Sequence, residues 1–456
     1  MRLKKSVQSL ALICAGSLAL VGCGSGDYTP NPEEKDLVAN SDCFWVGPYI
    51  KEDPKSNIAY PDTGATYWHA GYTLPEGASL KLKGEFPHAR YMSLNSYRAD
   101  ASPAYSMADN TIVSDQGSIN PFVQDADRNS AFRNYELMIE QGTAPEVIPD
   151  NTLYDSVNAG EKSVLIYRVY VPNQGKDMKG GVALPEVELT LAKGSVLSGV
   201  EACEALASDT DLLPIPKVPA GTYAYLRGSG NPAQNSLIEE NGKQTVKWKA
   251  AYNAVYTNKC SFLNQCEESP ERQVNWYANL DNQYVSAFLD DTIKPVVVIR
   301  GKLPEIPATL NGVNTYDEST AELRYWSICQ NEYYSQKVEA CLYDEQITIQ
   351  PDGRYLIVTS KEEDKPSNVS SECGIDYLPW SEAGDGFAIV DGMENNEQDA
   401  LILVRNMLPV NGFNQAVQNT ATPGDEETVM GEYLPTAEYF TTEEFEALGC
   451  NAYSSL

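Results

Sequence analysis

Histidine is scarce in this chain, and its scarcity excludes much enzyme chemistry. Only two histidines, His69 and His88, occur among the 456 residues. Serine and cysteine nucleophiles ordinarily need a histidine base, and the sequence has neither a Gly-x-Ser-x-Gly elbow nor a glycine-rich phosphate loop. We therefore predict neither nucleophile–histidine hydrolysis nor nucleotide chemistry, and we expect both histidines to be surface or hydrogen-bonded core residues.

Basic residues are also few. The chain has 33 Lys and Arg residues against 64 Asp and Glu residues, which gives a formal net charge of −31. A nucleic-acid-binding protein needs a basic patch, and an anionic lipid surface attracts cationic segments. The composition therefore excludes nucleic acid as a partner and predicts a solvated acidic surface.

Long apolar runs are absent after residue 21. Residues 9–21 are apolar and follow Arg2, Lys4 and Lys5, so they form a secretion signal that is too short to span a membrane. The signal ends in Leu-Val-Gly-Cys at residues 20–23, which resembles the lipobox of bacterial lipoproteins. The resemblance implies that residues 1–22 are removed and that acyl chains, palmitate among them, modify Cys23.

The residues after the lipobox indicate to which membrane the protein is anchored. Gly24 follows the cysteine, where many lipoproteins of the inner membrane have aspartate. The resemblance therefore implies an outer-membrane protein that is anchored by lipid and faces the periplasm or the cell surface. Residues 23–42 are rich in Gly, Pro, Asn and charge, and we predict that they form a flexible tether.

Metal-binding Cys-x-x-Cys pairs are absent, although cysteine itself is not. Eight cysteines remain after Cys14 and Cys23 are set aside, and an even number in an exported chain favours disulfides over a metal site. We therefore predict no metal and no other cofactor. Close spacing, closure of the first half of the chain and elimination suggest the pairs Cys260–Cys266, Cys329–Cys341, Cys43–Cys203 and Cys373–Cys450, although eight cysteines allow many other pairings.

Short alternating or apolar runs, separated by Gly, Pro, Asn and Asp, cover most of the remaining chain. Strands are predicted at residues 78–83, 135–140, 164–171, 295–300, 354–360 and 400–405. Helical periodicity is limited to residues 246–256 and to a capping box that begins at Thr441. The pattern predicts a mainly β protein of the sandwich or jelly-roll kind with a few short helices.

A repeated motif indicates that the chain contains two copies of one β module. Residues 83–93, KGEFPHARYMS, are matched in order by RGKLP at residues 300–304 and by RYWS at residues 324–327. Arg168 and Arg405 are likewise followed by Pro and Gly at the same spacings. Fixed order over most of the chain marks an internal duplication. We predict a first β module at residues 43–205, a connector at residues 206–273 and a second β module at residues 274–456.

Several segments outside the lipobox carry a second resemblance. PDTGATYW, GEFPHARYMSLNSY, GSINPF, GGVALPEVEL and RNMLPVNGFNQAVQN look like segments of uncharacterised exported bacterial proteins. Arg-Tyr-Trp-Ser ahead of a Tyr-Asp pair is similar to a motif of paired β-domain families of unknown function. The resemblance implies two β domains and brings no activity with it.

Two aspartates raise the alternative of a hydrolase. Asp-Thr-Gly at residues 62–64 resembles the motif of aspartic proteases, in which each half of a duplicated β protein supplies one catalytic carboxylate. The second copy reads Asp-Asn-Gln at residues 281–283 and lacks the Thr and the Gly. The simpler interpretation is a turn at which Asp62 caps the backbone, and a two-carboxylate site of Asp62 and Asp281 is the alternative.

Duplicated arginines and aromatic residues are the binding candidates. Arginine beside a strand can hold a carboxylate, either the aspartate of its own half or a ligand where the halves meet. In Tyr67-Trp68 and Tyr325-Trp326, one ring should face the core and the other should face outward, where aromatic rings suit glycans as well as ordinary interfaces. The candidates are Arg90, Arg324, Tyr67, Trp68 and Trp326.

A calcium loop is the last motif. Asp125, Asp127, Asn129 and Glu136 match the ligand positions of an EF-hand loop, but Ser130 occupies the glycine position and a strand is predicted at Glu136. A chance match is therefore favoured.

Together, these observations predict a non-enzymatic binding or assembly component of the cell envelope, with an envelope protein or a glycan as its partner.

Overall fold

The computed structural model describes residues 43–158, 160–272, 276–313, 317, 319–387 and 396–456. Cys23 and the predicted tether lie outside these residues. The described chain has 21 strands in four sheets and only short helices, so the predicted fold class is confirmed. Within this part of the chain, no helix is both long enough and apolar enough to cross a membrane.

The first half of the molecule consists of strands β1 to β10. Their bounds are β1 (Val46–Tyr49), β2 (Ala65–Thr73), β3 (Ser79–Glu85), β4 (Ala89–Tyr97), β5 (Pro103–Ala108), β6 (Asn134–Glu140), β7 (Thr152–Tyr154), β8 (Lys162–Pro172), β9 (Glu186–Thr190) and β10 (Val196–Ser198). One sheet has the order β1-β2-β8-β4-β5, and the other has the order β10-β9-β3-β6-β7.

The second half consists of strands β11 to β21. Their bounds are β11 (Leu237–Glu240), β12 (Lys243–Val246), β13 (Lys249–Ala250), β14 (Asn282–Asp290), β15 (Val296–Lys302), β16 (Leu323–Asn331), β17 (Val338–Tyr343), β18 (Arg354–Ser360), β19 (Asp376–Pro379), β20 (Asp399–Pro409) and β21 (Thr436–Phe440). Its sheets have the orders β13-β14-β20-β16-β17 and β11-β12-β21-β15-β18-β19.

Corresponding strands of the two halves pair in the same way. Arg168 on β8 lies opposite Ser93 on β4, and its counterpart Arg405 on β20 lies opposite Ser327 on β16. The second sheet of each half also ends in a parallel pair, β6 with β7 and β18 with β19, while the other strand pairs are antiparallel. The strands that carry the repeated sequence motifs therefore occupy corresponding positions in the sheets of the two halves.

A glycine of the repeated motif has the same neighbour in each half. Gly84 on β3 lies opposite Tyr135, and Gly301 on β15 lies opposite Tyr355. A Cβ atom at either glycine would lie 2.5 Å from the hydroxyl of the paired tyrosine. The glycine is repeated because the tyrosine ring of the neighbouring strand lies across it.

Each half is a sandwich with its own core. Trp68 packs in the core of the first half, and Trp326 packs in that of the second. Tyr325 lies on the opposite face of its sheet, in a separate cluster that also receives Tyr91 of the first half, and Tyr67 packs against that cluster. The predicted alternation of the paired rings is confirmed, and the outward face is where the two halves meet.

Six α-helices lie in the described chain: α1 (Gly199–Ala205), α2 (Ala220–Ser229), α3 (Ala254–Leu263), α4 (Glu426–Met430), α5 (Thr442–Glu446) and α6 (Ala452–Ser455). The capping box at the start of α5 is confirmed, because Thr441 and Glu444 each accept a hydrogen bond from the other's backbone N–H. The helix predicted over residues 246–256 is wrong, since α3 begins at Ala254 after its cap Asn253.

The segment before α3 forms strands for a visible reason. Val246, Trp248 and Ala250 alternate, and all three pack in the core of the second half. Strands β11, β12 and β13 thus join the sheets of the second half, although they belong to the residues predicted as a connector.

All four predicted disulfides are present: Cys43–Cys203, Cys260–Cys266, Cys329–Cys341 and Cys373–Cys450.

Candidate functional site

Reciprocal ion pairs join the two halves. Arg90 on β4 donates to Asp344 and Glu345, which begin a single 3-10 turn (Asp344–Gln346) of the second half. Arg324 on β16 donates to Asp109, which begins the corresponding turn (Asp109–Thr111) of the first half, over 2.9 Å. Both arginines and both aspartates are buried. An aspartate of each half therefore pairs with a buried arginine of the other half. These ion pairs cross between the halves, whereas the simpler interpretation expected each arginine to pair with the aspartate of its own half.

Asp62 also reaches across the interface. Its Oδ1 accepts hydrogen bonds from the Gly64 N–H at 2.9 Å and from the Tyr325 hydroxyl at 2.8 Å. Its Oδ2 accepts one from the Ser327 hydroxyl at 2.6 Å and lies 3.4 Å from Nη1 of Arg405. The bond to Gly64 is the turn cap that the sequence predicted, and the other three contacts bind the second half.

Asp281 makes the equivalent contacts in the opposite direction. Its Oδ2 accepts hydrogen bonds from the Tyr91 hydroxyl and, at 3.1 Å, from the Ser106 hydroxyl of the first half. Burial raises the pKa of Asp281, and the bonds from Tyr91 and Ser106 oppose that rise. Asp62 and Asp281 therefore act as clamps between the halves, and neither lines the cavity described next.

A cavity of about 180 Å³ is lined by residues of both halves, among them Pro61 and Asn279, which lie close in sequence to the two clamps. Its walls come from corresponding strands of the two halves, β2 and β8 on one side and β14 and β20 on the other. The other contributions come from Tyr49, the loop at residues 58–61, parts of residues 213–218, Ala251, helices α2 and α3, residues 276–279 and parts of residues 333–336. Strands of both halves thus line one cavity where the two sheets meet.

Aromatic side chains dominate these walls. Nine tyrosines and one tryptophan contribute: Tyr49, Tyr60, Tyr67, Tyr170, Tyr223, Tyr277, Tyr284, Tyr333, Tyr334 and Trp276. Trp276 is 37 % exposed, so the cavity adjoins solvent at this ring. Aliphatic wall residues such as Ile166 and Leu403 lie between the rings. Such walls suit the faces of a small ring-bearing molecule.

Arg168 and Arg405 are the two cations of the cavity, and their partners differ. Arg405 lies beside the carboxylate of Asp62 and also donates to the Tyr60 carbonyl at 2.7 Å. Arg168 donates to the Asn95 amide oxygen, to the Tyr97 hydroxyl at 2.7 Å and to the Tyr277 carbonyl at 2.6 Å. No carboxylate of the described residues lies within ion-pair distance of Arg168, although this side chain is only 4 % exposed.

His69 completes the polar part of the wall. Its Nδ1 is 2.9 Å from the Tyr49 hydroxyl, which itself accepts a hydrogen bond from the Leu213 N–H. The Tyr49 proton is therefore available to Nδ1, which makes His69 an acceptor there. Burial lowers the pKa of His69 to about 4, against the opposing effect of Asp209, so the imidazole is neutral at pH 7.

The predicted binding candidates have separate positions. Tyr67 lines the cavity, Arg90 and Arg324 form the ion pairs between the halves, and Trp68 and Trp326 lie in the two cores. Sequence reasoning missed the cavity residues of the predicted connector, because their short aliphatic and aromatic stretches carry no motif. The aromatic pairs Trp276-Tyr277 and Tyr333-Tyr334, which lie in the predicted second module, were the available signal for the cavity.

Metal ligands are not assembled where the sequence placed the weak calcium candidate. Glu136 on β6 is bound to Lys81 at 2.9 Å, and one oxygen of Asp127 accepts from the backbone of Asn129. Among the described residues, one group has ligand atoms close together, namely Asp62, Cys329 and Cys341. Its two sulfur atoms form a disulfide, so the group offers no thiolate.

Comparison with known proteins gives little beyond this geometry. No protein-family model and no curated protein matches the chain. An uncharacterised protein from Burkholderia cenocepacia has a TM-score of 0.41 and 9 % identity, over 85 % of this chain and 82 % of that one. A protein from Vibrio parahaemolyticus has a TM-score of 0.38 and 9 % identity, over 84 % of this chain and 92 % of that one. These similar structures bring no activity to the chain.

Proposed function

We propose that this protein is a lipid-anchored component of the bacterial envelope that binds a small molecule in the cavity between its two β modules. The cavity itself carries the proposal. It lies where two rigid sheets face each other, and it combines about 180 Å³ of space with aromatic walls and a few convergent polar groups. This combination of an apolar wall with few polar groups is typical of ligand sites.

The contacts between the halves support a binding role. The buried pairs Arg90–Asp344 and Arg324–Asp109 hold the two sheets at a set distance. A site that is formed before the ligand arrives loses little conformational entropy on binding. Asp62 and Asp281 are engaged in the same contacts, which is why we favour binding over two-carboxylate hydrolysis.

Tryptophan fluorescence can test ligand binding, because Trp276 lies at the exposed edge of the cavity. We would titrate the purified protein with phenylacetate, phenylacetamide, 2-phenylethylamine and glucose. At least one compound should change the fluorescence saturably, and the change should be absent in Trp276→Phe. Glucose is the probe for the glycan partner that the sequence suggested.

Two further variants locate the binding. Ser286→Phe places a ring in the cavity, and it should abolish the titration while the protein still unfolds cooperatively. Val147→Phe is the matched control, because Val147 is 81 % exposed and lies outside the cavity wall. The proposed function is wrong if none of the four compounds binds, or if Ser286→Phe binds as well as the unaltered protein.

The envelope part of the proposal depends on Cys23. The protein should fractionate with outer membranes, and mass spectrometry of its N-terminal peptide should show an acylated cysteine. Cys23→Ser should leave the protein in the soluble fraction, because the acyl chains supply the membrane affinity. Equal membrane fractionation of Cys23→Ser and the unaltered protein would contradict lipid anchoring.

A further inference from the structure

We infer that the ligand of the cavity is a small aromatic carboxylic acid whose carboxylate is bound by Arg168. This inference rests on the proposed function and names the ligand class of the same site. It comes from a difference between the two walls. They present equivalent arginines, and among the described residues a carboxylate pairs with only one of them.

Arg405 shows what the equivalent position looks like when its charge is matched. Its Nη1 lies 3.4 Å from the Asp62 carboxylate, and both side chains are almost fully buried. A second anion at this arginine would meet the negative charge already present. We therefore do not expect the ligand carboxylate on this wall.

Arg168 has no such carboxylate partner in the part of the chain that the structure describes. Asp281, the counterpart of Asp62, lies beyond ion-pair distance and is engaged by Tyr91 and Ser106. The three hydrogen bonds of Arg168 go to neutral oxygens, those of Asn95, Tyr97 and Tyr277. A guanidinium has five N–H donors, so Arg168 keeps donors that no described residue accepts.

A buried cation with spare donors favours an anion over any neutral ligand. A buried charge is unfavourable unless it is paired. Arg168 is near enough to Asp281 to lower the pKa of that carboxyl, but the two groups do not form an ion pair, and a ligand carboxylate would provide one. Arg168 also lies over the Tyr67 ring at 5.5 Å and the Tyr97 ring at 5.7 Å, which keeps its guanidinium in place. The site therefore orients one carboxylate at a defined edge of the cavity.

The size of the cavity limits the rest of the ligand. An apolar cavity of about 150 Å³ is known to hold benzene, so about 180 Å³ accommodates one six-membered ring with a short acidic arm. Tyr67, Tyr170 and Tyr284 surround this space, and they favour edge or face contacts with an aromatic ring. A long fatty acid or an oligosaccharide would exceed the enclosed volume.

Phenylacetate and phenylacetamide form the decisive pair of probes. They have nearly the same shape, but the amide is neutral and has an NH2 donor in place of one acceptor oxygen. The ratio of their dissociation constants therefore reports the preference for a carboxylate. A hydrogen bond to a charged group predicts that the acid binds about 10- to 100-fold more tightly at pH 7. 2-Phenylethylamine, a cation of similar size, should bind more weakly than the amide.

Variants of Arg168 assign the preference to one side chain. In Arg168→Gln the acid and the amide should bind with equal affinity, while Arg168→Lys should keep a reduced preference for the acid. Arg98→Gln is the matched control, because it also removes one positive charge but lies exposed and outside the cavity wall. The control should keep the full preference.

The outcomes separate this inference from the proposed function. If the amide binds as tightly as the acid, the ligand class is wrong. If Arg168→Gln keeps the preference for the acid, the assignment of the carboxylate to Arg168 is wrong. In both cases the binding function stands. If neither phenyl compound nor the other probes bind, both are wrong. The comparison of acid with amide uses the unaltered protein. It therefore tests the ligand class even if Arg168→Gln does not fold.

Discussion

Arg324 and Asp109 form a buried ion pair that joins the two halves of this chain. The Nη1 and Oδ1 atoms are 2.9 Å apart, and the side chains are 1 % and 0 % exposed. Arg90 and Asp344 repeat the contact in the opposite direction. Such reciprocity is the rule at an isologous dimer interface, in which residue i contacts j and j contacts i. The duplicated chain thus contains, within one molecule, the arrangement of a symmetric dimer.

Breaking this pair should strongly destabilise the protein. Removing one partner of a buried pair leaves an uncompensated charge and costs about 3–5 kcal/mol, so Arg324→Met should lower the free energy of unfolding by this amount in urea. Lys365→Met removes a partly exposed lysine that pairs with the exposed Glu362, and it should change the free energy of unfolding by about 1 kcal/mol or less. Equal losses in the two variants would show that the interface pair is not a stabilising contact.

Removing His69 should change the response to acid. The pKa of His69 is about 4 in the folded protein, against an ordinary value of 6.5, because the ring is buried. Between these pH values the unfolded chain binds a proton that the folded chain does not, so stability falls as the pH falls from 6.5 to 4. The loss should reach about 3 kcal/mol, and His69→Gln should not show it.

The measurement is the free energy of unfolding at several pH values, expressed as the difference between variant and unaltered protein. Buried acids such as Asp109, whose pKa burial raises to about 6, change the stability with pH in the opposite direction. They are present in both proteins, so their contribution cancels in the difference. His88→Gln is the control. The pKa of His88 is also lowered to about 4, but its ring is partly exposed and its effect should be smaller. A parallel pH profile for His69→Gln and the unaltered protein would refute the prediction.

The repeated glycine should not tolerate a methyl group. In Gly301→Ala the new Cβ would lie 2.5 Å from the Tyr355 hydroxyl, which must move within a packed core. Overpacking of this kind costs about 1–3 kcal/mol, which thermal or urea unfolding would detect. Gly228→Ala, on the exposed face of α2 with open space around it, should instead be neutral or stabilising. The explanation of the repeat fails if the two substitutions have the same effect.

The four disulfides should contribute according to the length of chain that they close. Cys43–Cys203 has a sequence separation of 160, and Cys260–Cys266 has one of 6. In the chain-entropy account, the longer loop contributes about 5 kcal/mol and the shorter about 2 kcal/mol. Replacing both cysteines of each pair by serine, followed by urea unfolding, tests the order. A larger loss for the Cys260–Cys266 pair would contradict it.

Local patterns predicted much of the fold. Residues 164–171 and 354–360 alternate or are continuously apolar, and a sheet is the structure that buries such runs. The capping box at Thr441 was readable because its hydrogen bonds join residues three apart. The segment at residues 246–250 shows the limit, since its period of two was hidden by the helix-like stretch that follows.

The candidate site was less readable. The sequence singled out Arg90 and Arg324 for their repetition, yet repetition reflected their place in the contact between the halves. Arg168 and Arg405 are repeated as well, and nothing in their spacing shows that only Arg405 has an aspartate beside it. Residues such as Tyr223 and Leu213 reach the cavity from the segment between the halves, and no local pattern places them there.

The sequence by itself determined most of the strands, the duplication and the inward position of Trp68 and Trp326, because each depends on periodicity or repetition. It suggested the disulfide pairs from spacing and cysteine count without excluding other pairings. Only the tertiary structure decided which aspartate binds which arginine. Two copies of one motif can satisfy their charges within each half or between halves, and the local sequence is the same in both cases. The packing of the two sheets against each other determines that the pairs form between the halves. The same packing forms the cavity with Arg168 in its wall.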